Sequence, residues 1–123
     1  MKRIRTLIVD DNACFRNAAV EFLTRFEQIS IIAEAEDGPA AVRMSEELTP
    51  ELVLMDISIP HLNGLQATRK IKQQQNAPKI ILLTLHSSEA YRLVAKDVGA
   101  DHYVLKTELA NKLVPAIDQL FGI

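Results

Sequence analysis

The chain has 123 residues, 48% of them hydrophobic, and a formal net charge of -2. That is enough apolar material for one domain with a single core. It offers no clustered Lys and Arg, which argues against nucleic-acid binding by the chain itself. One cysteine, Cys14, rules out an internal disulfide framework and agrees with a reducing compartment.

No apolar stretch approaches the roughly 20 residues of a membrane span, and Met1-Lys2-Arg3 enters a strand without a secretory leader. A cytoplasmic protein with no membrane attachment is the expectation. In chain order, Arg5 to Val9 reads as a strand that stops at Asp10-Asp11. Phe15, Ala18, Ala19, Phe22, Leu23 and Phe26 then recur at helical spacing and define one apolar face. Ile29 to Ala35 is the second strand, and its Ser30 and Glu34 suit a sheet edge. Asp37-Gly38-Pro39 opens a helix carrying Ala41, Met44 and Leu48, with Pro39 where a missing N–H costs nothing. Leu52 to Met55 is a third strand, wholly apolar, that ends at Asp56. The Asn63-Gly64 turn leads to a third helix marked by Leu65, Thr68 and Ile71. Lys79 to Leu83 is the fourth strand and stops at Thr84. Ala90, Val94 and Val98 mark the fourth helix, with Ser87 or Ser88 as N-cap and Gly99 as its stop. His102 to Leu105 is a second edge strand and stops at Lys106. Leu109, Leu113, Ala116, Ile117 and Leu120 mark the fifth helix, capped by Thr107. Pro115 inside it predicts a kink near Asn111 to Val114, or a restart at Pro115.

Strands and helices in strict alternation define an α/β fold, an open sheet with helices on both faces. In such sheets ligands sit beyond the carboxyl ends of the strands. Asp10, Asp11, Asp56, Thr84 and Lys106 all fall at those ends. If the first and third strands are neighbours, about 4.8 Å apart, the three aspartates share a small volume. Their mutual repulsion raises at least one pKa unless a cation relieves it. A hard ion with oxygen ligands fits this donor set: Mg²⁺, with Mn²⁺ as an alternative. Asp10 and Asp11 then serve as direct and water-mediated ligands, the ion bridging Asp11, Asp56 and a phosphate oxygen. Thr84 can donate to a phosphoryl oxygen, and Lys106 is a flexible charge that reaches an anion. Asp56, alone at the end of a central strand, is the candidate nucleophile, forming an acyl phosphate. Taken singly, each residue has a plainer reading: helix-capping aspartates, a β-branched strand residue, a solvated lysine. The site rests on the set.

The same set resembles the receiver domain of bacterial two-component response regulators. Supporting stretches are Val9-Asp10-Asp11-Asn12, Met55-Asp56-Ile57-Ser58-Ile59-Pro60, Asn63-Gly64, and Gly99-Ala100-Asp101-His102-Tyr103-Val104-Leu105-Lys106. The likeness covers essentially all of 1–123 as one domain, with no output domain in the chain. It implies a flavodoxin-like (βα)5 fold with a parallel sheet in the order 2-1-3-4-5. It implies that a histidine kinase or phosphotransfer protein donates a phosphoryl group to Asp56. The Ser58 backbone carbonyl would complete a metal site formed by Asp11, Asp56 and, through water, Asp10. Thr84 and Tyr103 would be switch residues that alter the surface of helix four, strand five and helix five. A homodimer on phosphorylation, and DNA contact only through an output domain, belong to the same expectation.

Two positions depart from the family pattern. Leu85 stands after Thr84 where a small residue is usual, and is a candidate access gate. Thr107 follows Lys106 where proline is common, which puts a cis peptide there in doubt. Thr84-Leu85-His86 and the non-proline after Lys106 resemble receivers joined to LuxR-type helix-turn-helix domains. His61, His86 and His102 have no metal-ligand spacing, and Cys14 reads as a small packed residue. Competing classes fit less well. An aspartyl phosphohydrolase of haloacid-dehalogenase type wants Asp-x-Asp where this chain has Asp10-Asp11-Asn12. A flavin carrier wants a phosphate loop where two aspartates would repel it. A degenerate receiver used only for docking would not need the complete set.

Overall fold

The structure, a computed structural model, describes residues 3–86 and 88–123. Strands β1 (Ile4–Val9), β2 (Ile29–Ala35), β3 (Leu52–Asp56), β4 (Lys79–Thr84) and β5 (His102–Leu105) form one sheet in the order β2-β1-β3-β4-β5, and every pairing is parallel. This is the flavodoxin-like order. The helices are α1 (Ala13–Leu23), α2 (Gly38–Leu48), α3 (Gly64–Lys72), α4 (Glu89–Asp97) and α5 (Leu109–Phe121), with a 3₁₀ turn at Lys106–Glu108.

Side chains alternate across the strands and feed two cores. Ile8, Leu52, Leu54, Ile81, Leu83 and Val104 pack with Ala19 and Leu23 of α1 and Leu113 and Ile117 of α5. Leu7, Val9, Val53, Met55, Ile80 and Leu82 pack on the opposite face with Ala41, Ala67, Ile71 and Ala95 of α2, α3 and α4. Burial on both faces explains why the central strands are continuous apolar runs. β2 and β5 lie at the edges, and β2 carries an irregularity opposite Thr6/Leu7 that leaves Ile32 unpaired in the register.

Several sequence-based expectations are corrected. Ala18 is exposed and Phe26 lies beyond the end of α1, so the buried stripe is Ala19 and Leu23, flanked by Phe15, Val20 and Phe22. On α2, Leu48 is partly exposed at the helix end. On α4, Ala90 and Val94 do not face the sheet; Ala95 does, together with Val98 just past the helix. Ser88 stands at the N-cap position of α4 without a side-chain cap bond, and Ser87 lies outside the described residues. Gly99, at φ 99°, ends the helix as expected. Thr107 does not cap α5: it sits in the 3₁₀ turn, and Glu108 occupies the N-cap position. A tight turn suits this join, because the chain leaves β5 with Lys106 at the sheet end and must bring Leu109 and Leu113 back over the core. Helix α5 runs through Pro115 as one element instead of restarting. Asn111 and Pro115 are both exposed, so water can satisfy the carbonyl that loses its donor. Among the described residues no peptide bond is cis, Lys106–Thr107 included.

The β3–α3 join brings backbone unusually close. Asn63 caps α3 in a reciprocal capping box with Gln66, and the Gly64 N–H donates to the Ile57 carbonyl at 2.8 Å. A Cβ on Gly64 would overlap the Asp56 carbonyl oxygen and lie 2.7 Å from Ile57 Cα. Gly64→Ala should therefore destabilise the fold by roughly 1–3 kcal/mol. Urea unfolding measures this, and an unchanged midpoint would show that the contact relaxes freely.

Candidate functional site

The strand ends bring together the residues singled out from the sequence. In the β1–β3 register Val9 faces Met55, which sets Asp10 beside Asp56. The Asp10 N–H continues the ladder by donating to the Ala35 carbonyl at 3.1 Å. Asp10 and Asp56 are buried, whereas Asp11, at the bend after the strand, is exposed. One carboxylate oxygen from each of Asp10, Asp11 and Asp56 lies within 4.8 Å of the others. The Lys106 ammonium arrives from the end of β5, donating to Asp10 Oδ2 at 2.6 Å and lying 3.3 Å from Asp56 Oδ1.

The electrostatics follow from this packing. Burial, with the Asp10 charge beside it, pushes the Asp56 carboxyl up from 3.8 to about 6; the Lys106 ammonium and a hydrogen bond from the Ser58 backbone act the other way. One ammonium among three carboxylates leaves the pocket acidic, and an oxygen-rich acidic pocket of this size is a fit donor set for a hard divalent ion.

Thr84, buried at the end of β4, accepts at Oγ1 from the His86 N–H at 3.1 Å. Tyr103 on β5 donates from its hydroxyl to the His86 carbonyl at 2.6 Å. Both candidate switch residues thus grip the backbone of one residue. The His86 ring stacks on Tyr91 of α4, centroids 5.8 Å apart and 19° between planes. Burial pushes the Tyr103 phenol above its ordinary value, with the Thr84 hydroxyl opposing. Leu85, between Thr84 and His86 in the chain, is 68% exposed. His61 lies in the exposed loop after β3 with a left-handed backbone, φ 70°.

Three participants were not picked out from the sequence as part of the site. Asn12 caps α1, its side chain accepting from the Phe15 N–H at 3.0 Å, while its own N–H donates to Asp10 Oδ1 at 2.9 Å. Arg16 donates to the Asp10 carbonyl at 2.5 Å and pairs with Glu34 at 3.1 Å and Glu36 at 3.5 Å, tying the ends of β1 and β2 to α1. Phe15, read as core alone, places its ring 4.2 Å from the Lys106 ammonium. A signal for Arg16 was present: a cation one turn before Ala19, on the inward side of α1, with two glutamates closing the neighbouring strand.

With this geometry in hand, the comparisons define the class. Residues 6–118 match the response regulator receiver domain, and the chain belongs to that family. The transcriptional regulatory protein DegU of Brevibacillus brevis is 34% identical over 115 residues, 94% of this chain and 49% of the relative. LiaR of Bacillus subtilis is 36% identical over 116 residues, 93% of this chain and 54% of the relative. The chain spans about half the length of these curated relatives. A LuxR-family two-component response regulator from Aurantimonas sp. SI85-9A1 superposes with TM-score 0.93 at 34% identity, covering 98% of this chain and 86% of that one. The response regulator domain of Thermotoga maritima CheB gives TM-score 0.91 at 27% identity, with 99% and 98% covered. The family role is a phosphorylation-activated signalling switch, not metabolic turnover, and its members interact with histidine kinases. Receiver domains generally use Mg²⁺. No helix among the described residues is long and apolar enough to cross a membrane.

The raised pKa of Asp56 has a stability consequence. The folded state binds this proton near pH 6 and the unfolded state near 3.8, so the unfavourable contribution is fully present above pH 6 and is relieved as pH falls toward 4. Its size is on the order of 2–3 kcal/mol. In metal-free buffer, wild type should lose stability relative to Asp56→Asn as pH rises from about 4 to about 6.5, with little further loss above that. Parallel pH profiles by urea unfolding would contradict this.

Proposed function

We propose that Asp56 is the phosphoryl acceptor of a cytoplasmic signalling switch. The observation that carries the reading is the convergence of Asp10, Asp11 and Asp56 within 4.8 Å, with Lys106 between Asp10 and Asp56. An Asp56 carboxylate oxygen attacks the phosphorus of a phosphohistidine on a histidine kinase or phosphotransfer protein. A P–O bond forms, the P–N bond breaks, and its electron pair stays on the imidazole. Asp11, Asp56 and the Ser58 carbonyl would hold Mg²⁺ (or Mn²⁺), with Asp10 acting through water. When bound, the ion offsets charge on the transferring oxygens. Lys106 is positioned to pair with the same oxygens as they approach Asp56.

The product turns chemistry into shape. Its new acceptor oxygens can take the Thr84 O–H, drawing the side chain toward the pocket and its oxygen away from the His86 N–H that it now accepts from. Charge-assisted hydrogen bonds of about 1.5–3 kcal/mol each are large enough to rebalance conformers separated by a few kcal/mol. Movement of Thr84 frees His86, the residue that Tyr103 also holds and whose ring rests on Tyr91 of α4. The surface of α4, β5 and α5 then changes. Paired with a DNA-binding output domain, as the LuxR-type relatives imply, that change would drive dimerisation and transcriptional control.

Incubation with Mg²⁺ and acetyl phosphate should yield an acid-stable, base-labile phosphate that vanishes in Asp56→Asn. No incorporation in wild type, or incorporation that survives the substitution, would overturn the assignment. Exposed Leu85 beside Thr84 is proposed to narrow access, so Leu85→Ala should raise both loading and hydrolysis rates a few-fold. Unchanged rates would remove that role.

A further inference from the structure

We infer that Phe15 is a positioning residue for Lys106, its ring forming the wall that keeps the ammonium at the acceptor. The inference rests on the assignment of Asp56 as acceptor. Lys106 carries its charge on a flexible four-carbon stem, so something must restrict where the charge sits. On one side it meets Asp10 at 2.6 Å and Asp56 at 3.3 Å. On another it meets the face of Phe15, 4.2 Å from the centroid, well inside cation–π range. The lysine side chain is only 12% exposed, so the ring occupies a direction in which water would otherwise compete for the ammonium.

The ring is itself held in place. The Phe15 N–H donates to the Asn12 side chain at 3.0 Å, and Asn12 in turn binds Asp10 Oδ1 through its own N–H. The Phe15 side chain also packs against the core beneath α1 and α5. One short stretch, 10–16, therefore supplies two carboxylates, the cap that orients one of them, and the wall for the lysine that pairs with them. Phe15 acts through Lys106. It would act where charge develops on the transferring oxygens and Lys106 must be in place, so its effect belongs in the first-order step and not in donor affinity.

The test is the rate of acetyl phosphate loading at saturating Mg²⁺, resolved into a maximal rate and a half-saturating donor concentration. Phe15→Leu should lower the maximal rate roughly 3–10-fold, leave half-saturation nearly unchanged, and be rescued by Phe15→Tyr. In a Lys106→Ala background the same substitution should have no further effect on the residual rate. Fluorinated phenylalanines at position 15 keep the shape and weaken the negative face of the ring, so they cover the case in which Phe15→Leu fails to fold. Loading should fall step by step with fluorination. A flat fluorination series, or equal losses from Phe15→Leu with and without Lys106, would overturn the inference. If wild type loads no phosphate on Asp56, the acceptor assignment fails first. Normal wild-type loading that ignores the ring defeats only the role of Phe15.

Discussion

The ammonium of Lys106 between Asp10 and Asp56 is the interaction on which the rest of the site depends. Two buried carboxylates side by side repel each other, and burial alone disfavours their charge. One cation at 2.6 and 3.3 Å offsets part of this and joins β5 to β1 and β3 across the end of the sheet. The compensation is incomplete, since the Asp56 carboxyl still stands near 6. A pocket left partly unneutralised is suited to taking up a cation and then a phosphoryl group. Its residual instability and its proposed chemistry share one electrostatic cause.

The packing around the site is uneven in a way that suits a switch. Helices α1 and α5 press large side chains onto one face of the sheet, with Leu23, Leu113 and Ile117 fully enclosed. Among the described residues of helix α4 only Ala95 is buried, and its Leu93 and Val94 remain 61% and 43% exposed. An element with so little buried apolar surface belongs to the low-stability end of a fold and can shift with little loss of burial. The His86–Tyr91 stack joins that element to the loop gripped by Thr84 and Tyr103. Rigid and yielding parts thus meet at one residue of backbone.

Much of this was legible before any coordinates, for physical reasons. A strand covered on both faces must be apolar throughout, so a polar residue ending such a run marks the sheet edge; Asp10, Asp56 and Thr84 stood out that way. Partners with no such contrast were hidden. Phe15 satisfies the helical apolar period whether or not a lysine 91 positions later lies over its ring. Arg16 shows its purpose only once β2 pairs with β1 and brings Glu34 and Glu36 alongside. On α4 the periodic residues misled, because a thinly packed helix need not turn its largest apolar side chains inward. Thr107 looked like a cap because residue type alone does not reveal a 3₁₀ turn between strand and helix.

The central claim is that loading the acidic pocket, with magnesium present, reshapes a surface some distance from it. The most direct measurement is an amide NMR titration with fluoroberyllate as a phosphoryl mimic, run with and without Mg²⁺. The account predicts saturable, magnesium-dependent shifts at Thr84, His86 and Tyr103 that extend into α4. Shifts that stay confined to the aspartate loops, or that are the same without magnesium, would contradict it.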